Sequence, residues 1–340
     1  MEESFDPPPR QPLTVGIIYN LKKGVHSDVP DAEAEYDNIE TVHAIEAALR
    51  EGGHRTVLLE ADGSLPERLR TTRLDIAFNI AEGISGRGRE AQVPALLHYY
   101  GIPFTGSDET TLCVALDKAL TKRLLLTHRI PTPRYAVLTP DTLRRLPALP
   151  YPVIVKPVAE GSSKGISEVS VVKNREELRT LAAANLAAYR QDLLAEAYIA
   201  GREFTVGLLG NGEDLRVFTP MEICFKKPTQ GAFHVYSYPV KQDYTRYVSY
   251  ACPADISPGI EQEMVRLSRK IYRALSCRDF ARIDFRVSEE GKVCFIEINP
   301  LPGLAPGYSD YPMAAAFCGM DYAALVQGIL HAACRRLGIG

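Results

Sequence analysis

Two short segments in the C-terminal third constrain this chain most: Arg282-Ile-Asp284 and Phe295-Ile-Glu297-Ile-Asn299. Both are rich in β-branched and aromatic residues, and Glu290-Gly291 between them signals a turn. They read as an antiparallel strand pair. Side chains alternate faces along a strand, so Arg282 and Asp284 share one face, as do Glu297 and Asn299. Ile283, Phe285, Phe295, Ile298 and, less cleanly, Ile296 take the other. Such a sheet has an apolar back and a polar front, and the front faces either water or a ligand. Three oxygen donors, Asp284, Glu297 and Asn299, converge there. So few carboxylates suit Mg²⁺, which keeps waters and completes its octahedron with phosphate oxygens. Asn299-Pro300-Leu-Pro-Gly303 then ends the strand in a rigid turn, whose backbone N–H groups are placed to hold an oxyanion.

A second window, Val153-Ile-Val-Lys-Pro157 followed by Glu160-Gly-Ser-Ser-Lys-Gly165, delivers Lys156 at the end of an apolar strand. Small residues such as Gly161, Ser162 and Ser163 let backbone N–H groups close on an anion. Lys156 supplies a point charge suited to phosphate. The loop joins strand to strand and does not match the Walker pattern.

Around these windows the chain alternates strand and helix signals. Thr14–Tyr19, Thr56–Leu59 and Asp75–Phe78 read as strands. Ile39, Val42, Ile45 and Leu49 mark a helix that stops at Gly52-Gly53. This alternation predicts a parallel α/β unit over 13–108, after a disordered lead-in at 1–12. A long helix from Leu112 to Leu125, capped by Ser107 or Asp108, opens a second unit over 109–200. A third, strand-dominated unit covers 201–340, with strands at Phe204–Leu209, Val217–Glu222, Ile283–Val287 and Val293–Ile298. Its helical stripe runs through Ile260, Met264, Leu267 and Ile271.

Composition excludes several classes. The 340 residues carry 39 basic and 42 acidic side chains, a net charge of −3, which gives no electrostatic case for nucleic acid or an anionic membrane. No run approaches the ~18 apolar residues of a membrane span. Seven cysteines, an odd number without a CxxC pair, read as reduced thiols in a cytoplasm. Cys277 and Cys294 read as core residues, and His98 and His331 as surface residues.

The chain resembles the ATP-grasp carboxylate–amine ligases, closest to the D-alanine–D-alanine ligase family. The resemblance rests on Leu116-Asp-Lys118, the 153–163 window, Glu196-Ala-Tyr-Ile199, Gly201-Arg-Glu203-Phe-Thr-Val206, Arg282-Ile-Asp284 and Glu297-Ile-Asn299 with Pro302-Gly303. It implies a three-domain ATP-grasp fold and an acyl-phosphate ligase that uses ATP and two Mg²⁺ ions. Small carboxylate and amine substrates and a homodimer are also implied. Lys118, Lys156 and Lys241 would hold phosphates, with Glu160, Gly161, Ser162 and Ser163 over the γ-phosphate. Glu196, Ala197, Tyr198 and Ile199 would line the adenine, and Glu203 would take the ribose. Asp284, Glu297 and Asn299 would bind metal. Arg282 and Gly303 would stabilise charge on the attacked carboxyl, alongside Ser162 and Ser163. Ser309 would bind the carboxylate of the incoming amine.

Three departures fall at the substrate end. The family's glycine-rich turn and ammonium-binding glutamate give way to Tyr19-Asn-Leu-Lys-Lys-Gly24, with Glu33, Glu35 or Asp37 in the glutamate's place and Glu35 preferred. The family's histidine is Glu82 here, which favours a cationic neighbour. The tyrosine after the phosphate lysine is Gln242. The expected products therefore range from D-Ala–D-Ala to another amino-acid or natural-product amide. The rival readings are a non-catalytic nucleotide binder and a ligase acting on peptides.

Overall fold

Three sheets organise the chain in the computed structural model, which describes residues 11–23, 33, 35–160, 170–227, 233–237, 240–241 and 243–339. Most of the expected lead-in, together with Gly161, Ser162, Ser163 and Gln242, lies outside the described residues. The first sheet is parallel: β1 (Thr14–Tyr19) lies between β2 (Arg55–Glu60) and β3 (Ile76–Asn79). Strand β1 is covered on both faces, which is why its sequence is a continuous apolar run. Helix α1 (Ile39–Glu51) packs Val42, Ile45 and Leu49 against Val15 and Ile17. Helices α2 (Leu65–Thr71) and α3 (Gln92–Tyr99) cover the other face through Leu65, Leu69, Val93 and Leu97.

The helix expected from Leu112 to Leu125 is two helices, α4 (Glu109–Leu116) and α5 (Lys118–Thr127). Asp117 breaks it in extended conformation and caps α5, its carboxylate accepting from the Leu120 N–H at 2.8 Å. Asp108, not Ser107, caps α4 by accepting from the Thr111 N–H. The break makes Lys118 the first residue of α5 and ties its N–H to the Val158 carbonyl.

The second sheet is antiparallel, in the order β4 (Tyr135–Leu138), β7 (Leu193–Ala197), β5 (Val153–Pro157), β6 (Val171–Val172). Helix α6 (Arg175–Tyr189) covers one face through Leu178 and Ala182. The third sheet runs β11 (Val248–Ala251), β10 (Met221–Phe225), β8 (Gly201–Leu209), β12 (Phe280–Ser288), β13 (Val293–Asn299), with β9 (Arg216–Val217) on the edge of β8. The single strand expected over Val217–Glu222 is thus split between β9 and β10. Proline at 220, which has no N–H for a ladder, sits in the break.

After the helical turn α7 (Tyr244–Tyr247), helix α8 (Pro258–Ala274) backs the third sheet. Its Met264, Leu267 and Ile271 share a core with Ile283, Phe285 and Phe295. Helices α9 (Asp310–Phe317) and α10 (Tyr322–Leu337) return to the first sheet. There Leu325, Val326, Ile329 and Leu330 join the core of Val15, Ile17 and α1. Gln327 Nε2 donates to the Ala48 carbonyl at the end of α1.

Cys277 and Cys294 are buried, and His98 is exposed beside Glu109. His331, expected at the surface, is half-buried on α10. Among the described residues no single helix is long and apolar enough to cross a membrane.

One buried acid ties the units together. Asp279, fully buried at φ 63°, accepts from the Gly106 N–H at 2.7 Å, Asn211 Nδ2 at 2.8 Å, and Arg336 Nε and Nη2 at 2.9 and 2.7 Å. Asp279→Ala should destabilise the protein by about 3 kcal/mol, because it removes the anion from a largely buried guanidinium. Asp279→Asn should cost less, since asparagine tolerates the left-handed conformation. Urea unfolding of the two variants measures this, and equal losses would show that the left-handed conformation adds nothing to the cost of the lost charge.

Candidate active site

The second and third sheets face each other across a cleft of about 1140 Å³, counted to its open mouth. Strands β5 and β7 bring Lys156 and Glu196 to one wall, and β8, β12 and β13 bring Glu203, Asp284 and Glu297 to the other. Lys118, Glu160, Ala197, Tyr198, Ile199, Lys241, Arg282 and Asn299 also line it.

A buried chain of charge runs through this cleft. Lys156 Nζ lies 2.9 Å from Glu196 Oε1, and Lys122 Nζ lies 3.0 Å from Glu196 Oε2. All three side chains are at most 4% exposed. Burial disfavours every one of these charges, yet the two ammoniums hold Glu196 below the usual carboxylate range. Burial also works against Lys156, but Glu196 and Glu297 keep it protonated, with its pKa raised. Lys122 additionally donates to Thr132 Oγ1 at 2.8 Å and to the Ile296 carbonyl at 2.9 Å.

The polar face of β12 and β13 has the register its alternation predicts: Arg282 pairs with Asn299, and Asp284 with Glu297. One residue further the register shifts, so that Phe285 faces Phe295 and Ile296 is the extra residue of a bulge. The bulge puts Ile296 on the cleft beside Glu297, which explains its poor fit to the apolar face. Arg282 grips Asp284 with two parallel bonds, at 3.1 and 3.0 Å, and reaches Asp310 at 3.4 Å. Glu297 Oε2 lies 3.8 Å from Lys118 Nζ and 3.7 Å from Lys156 Nζ. Burial would raise Glu297, but Lys118, Lys156 and Arg282 overcome it and hold the carboxyl down at about 2. Burial pushes Glu203 up to about 7, against the pull of Arg286, which lies 3.0 Å away.

A second pocket adjoins the first and shares Lys241, Arg282 and Asn299 with it. Glu35, Asp37 and Glu82 line one side, and Gly303, Tyr308 and Ser309 the other. A Cβ on Gly303 would come within 2.9 Å of Ser309 Oγ, so a side chain here would displace the serine hydroxyl. Burial raises Glu82 well above the usual carboxylate range, and neighbouring Glu90 and Glu35 push the same way. Burial likewise lifts Asp37 to about 7. The segment Tyr308–Tyr311 divides: Tyr308 lines the pocket and Tyr311 is fully buried.

Sequence reasoning missed Lys122, Arg286, Arg89 and Asp310. Arg286 continues the alternation of Arg282 and Asp284, and its guanidinium lies 4.7 Å from the Tyr198 ring centroid. Lys122 had a signal too, as a lysine on the buried face of α5. Lys122→Met should lower stability by about 3 kcal/mol, the scale of breaking a buried pair, and weaken adenine-nucleotide binding. Calorimetric melting with and without nucleotide reads both, and an unchanged melting temperature would dismiss the role given to the triad.

The comparisons agree with this architecture. Residues 124–331 match the family model for the D-ala D-ala ligase C-terminus. The chain is 36% identical over 295 residues to a D-alanine–D-alanine ligase of Aquifex aeolicus, covering 86% of this chain and 94% of that one. It is 35% identical over 307 residues to an uncharacterized protein of Sinorhizobium fredii, covering 86% and 87%. The structure of a D-alanine–D-alanine ligase from Bacillus anthracis complexed with ATP superposes with a TM-score of 0.71 at 22% identity, over 95% of this chain and 98% of that one.

Proposed function

The chain belongs to the D-alanine–D-alanine ligase family, and from that premise we propose how its two pockets divide the work of ATP-dependent carboxylate–amine ligation. The first pocket takes ATP and the second takes the two substrates. Residues 13–108 form the substrate-side unit, 109–200 the central grasp unit and 201–340 the unit bearing the metal ligands. The observation that carries this division is that the pockets join at Lys241, Arg282 and Asn299, with Lys118, Lys156, Asp284 and Glu297 lining only the first and Glu35, Glu82 and Ser309 only the second.

Lys118, Lys156 and Lys241 hold the phosphates. Glu196, Ala197, Tyr198 and Ile199 border the adenine, and Glu203 accepts from the ribose hydroxyls. Gly161, Ser162 and Ser163, with Glu160 before them, are assigned to the γ-phosphate on their sequence. Asp284, Glu297 and Asn299 offer hard oxygen donors from paired positions on two strands, and Glu297 is kept anionic by its lysines. This donor set fits Mg²⁺, with phosphate oxygens and water filling the remaining positions. When bound, the metal would neutralise charge on the phosphates.

A carboxylate is a poor electrophile until its oxygen takes the γ-phosphoryl group, which then leaves as phosphate when an amine attacks the acyl carbon. The protein supplies position and charge stabilisation. Arg282 and the backbone at Gly303 stabilise the oxyanion that forms at that carbon. Ser309 takes the carboxylate of the amine substrate. Glu35, Glu82 and Gln242 belong to the substrate end. Glu82 stands where the family carries histidine; burial and its acidic neighbours disfavour its charge, so it favours a cationic group on the acid substrate, which would restore that charge.

An ADP-release screen with Mg²⁺-ATP against amino acids and small carboxylic acids, singly and in pairs, tests the reaction. Amino-acid-dependent ADP and phosphate release is expected. Release that needs a peptide, or none at all, would overturn the amino-acid reading. Glu297→Ala should abolish turnover in a folded protein, as judged by circular dichroism. Lys156→Ala should weaken ATP binding at least tenfold by calorimetry, about 1.4 kcal/mol. ATP affinity left intact would remove Lys156 from the phosphate site.

A further inference from the structure

Arg89 lines neither pocket, yet it touches the walls of both. Its side chain is 9% exposed. Nη2 donates to Glu35 Oε1 at 2.7 Å and Oε2 at 2.6 Å, and Nε donates to Oε2 at 3.0 Å. Glu35 lines the substrate pocket. On its other edge, Nη1 donates to the Ala159 carbonyl at 2.9 Å, and Nη2 lies 3.3 Å from Glu160 Oε2. Glu160 lines the nucleotide cleft, and its carbonyl accepts from Lys118 Nζ. Gln191 Nε2 holds the other Glu160 oxygen at 2.6 Å.

The backbone fixes the arginine as firmly as its partners do. A Cβ on Gly83 would come within 2.0 Å of the Arg89 carbonyl oxygen, and Gly83 adopts φ 81°, so the turn after Glu82 closes directly on this residue. Arg89 is thus enclosed by Glu35, Glu82, Glu90 and Glu160, and its charge draws down the raised pKa of both Glu82 and Glu90. A planar guanidinium satisfies both sides at once because its donors form a rigid fork, which a lysine ammonium cannot reproduce.

We propose that Arg89 is a positioning residue that couples the two pockets. It sets Glu35 in the substrate pocket and Glu160 with Lys118 in the nucleotide cleft as one rigid wall, so that a change on either side is felt on the other. The proposal rests on the ligase reading for the identity of the nucleotide, but not on which acid is used.

The test is adenine-nucleotide affinity, measured by calorimetry with Mg²⁺ and a non-hydrolysable ATP analogue. Glu35→Gln lies outside the nucleotide cleft and should nonetheless weaken binding about fivefold. Arg89→Lys should weaken it at least as much, and combining the two should add little. In turnover assays with whichever amino acid the screen selects, Arg89→Lys should raise KM for both ATP and the amino acid. Arg87→Ala, a neighbouring exposed arginine bound to Asp117, is the control for loop damage and should change neither KM. If Arg89→Lys does not fold, Glu35→Gln alone decides the matter. Unchanged nucleotide affinity in folded Glu35→Gln overturns the coupling, as does an Arg89→Lys effect confined to melting temperature. A parent protein that binds no adenine nucleotide overturns the ligase reading itself, and the coupling falls with it.

Discussion

The structure depends on one buried carboxylate holding two buried ammoniums. An isolated lysine charge is expensive to bury, and Lys156 must be buried to face the cleft from the end of β5. Glu196, one strand away on β7, makes that tolerable, and Lys122 shares the same carboxylate from α5. Lys122 also reaches the Ile296 carbonyl in the bulge of β13. A single anion therefore registers the second sheet, helix α5 and the third sheet against one another. Because Lys118 begins the same helix, two of the lysines that line the cleft inherit their positions from this contact.

The net charge of −3 describes none of this. Charge is separated locally instead, with lysines along one wall and Asp284 and Glu297 on the other. Arg282 stands where the pockets meet, already committed to Asp284 and Asp310. Within one cleft Glu203 is raised, because burial outweighs the pull of Arg286, and Glu297 is lowered, because Lys118, Lys156 and Arg282 together outweigh burial.

The shared polar face of β12 and β13 was readable from sequence because its signal is local. Period-2 alternation on two strands joined by a turn fixes which side chains share a face, and the register of Asp284 with Glu297 follows. The doubtful place of Ile296 was legible too, though the bulge behind it was not. The break at Asp117 was hidden because the leucine spacing of α4 continues across it, and hydrophobic period is blind to one residue in extended conformation. The role of Arg89 was invisible for the opposite reason: its partners lie 54 and 70 residues away, and only tertiary folding brings them to it. The first pocket is thus written in motifs, while the second is written in contacts between distant segments.

The sharing of one core by β1, α1 and α10 has a consequence for how the protein is made. Val15, Ile17 and Ile45 leave the ribosome well before Leu325, Val326 and Ile329, which join their core from the far end of the sequence shown. Domains usually fold in the order in which they are synthesised. Here the first sheet emerges with one flank bare and stays so until some 300 further residues have been added, a contact order that slows closure of that core. Meanwhile the second sheet, whose strands and covering helix all come from one continuous stretch, has everything it needs to fold ahead of it. The core around the first sheet would be completed only after the second sheet, although its own strands are made first.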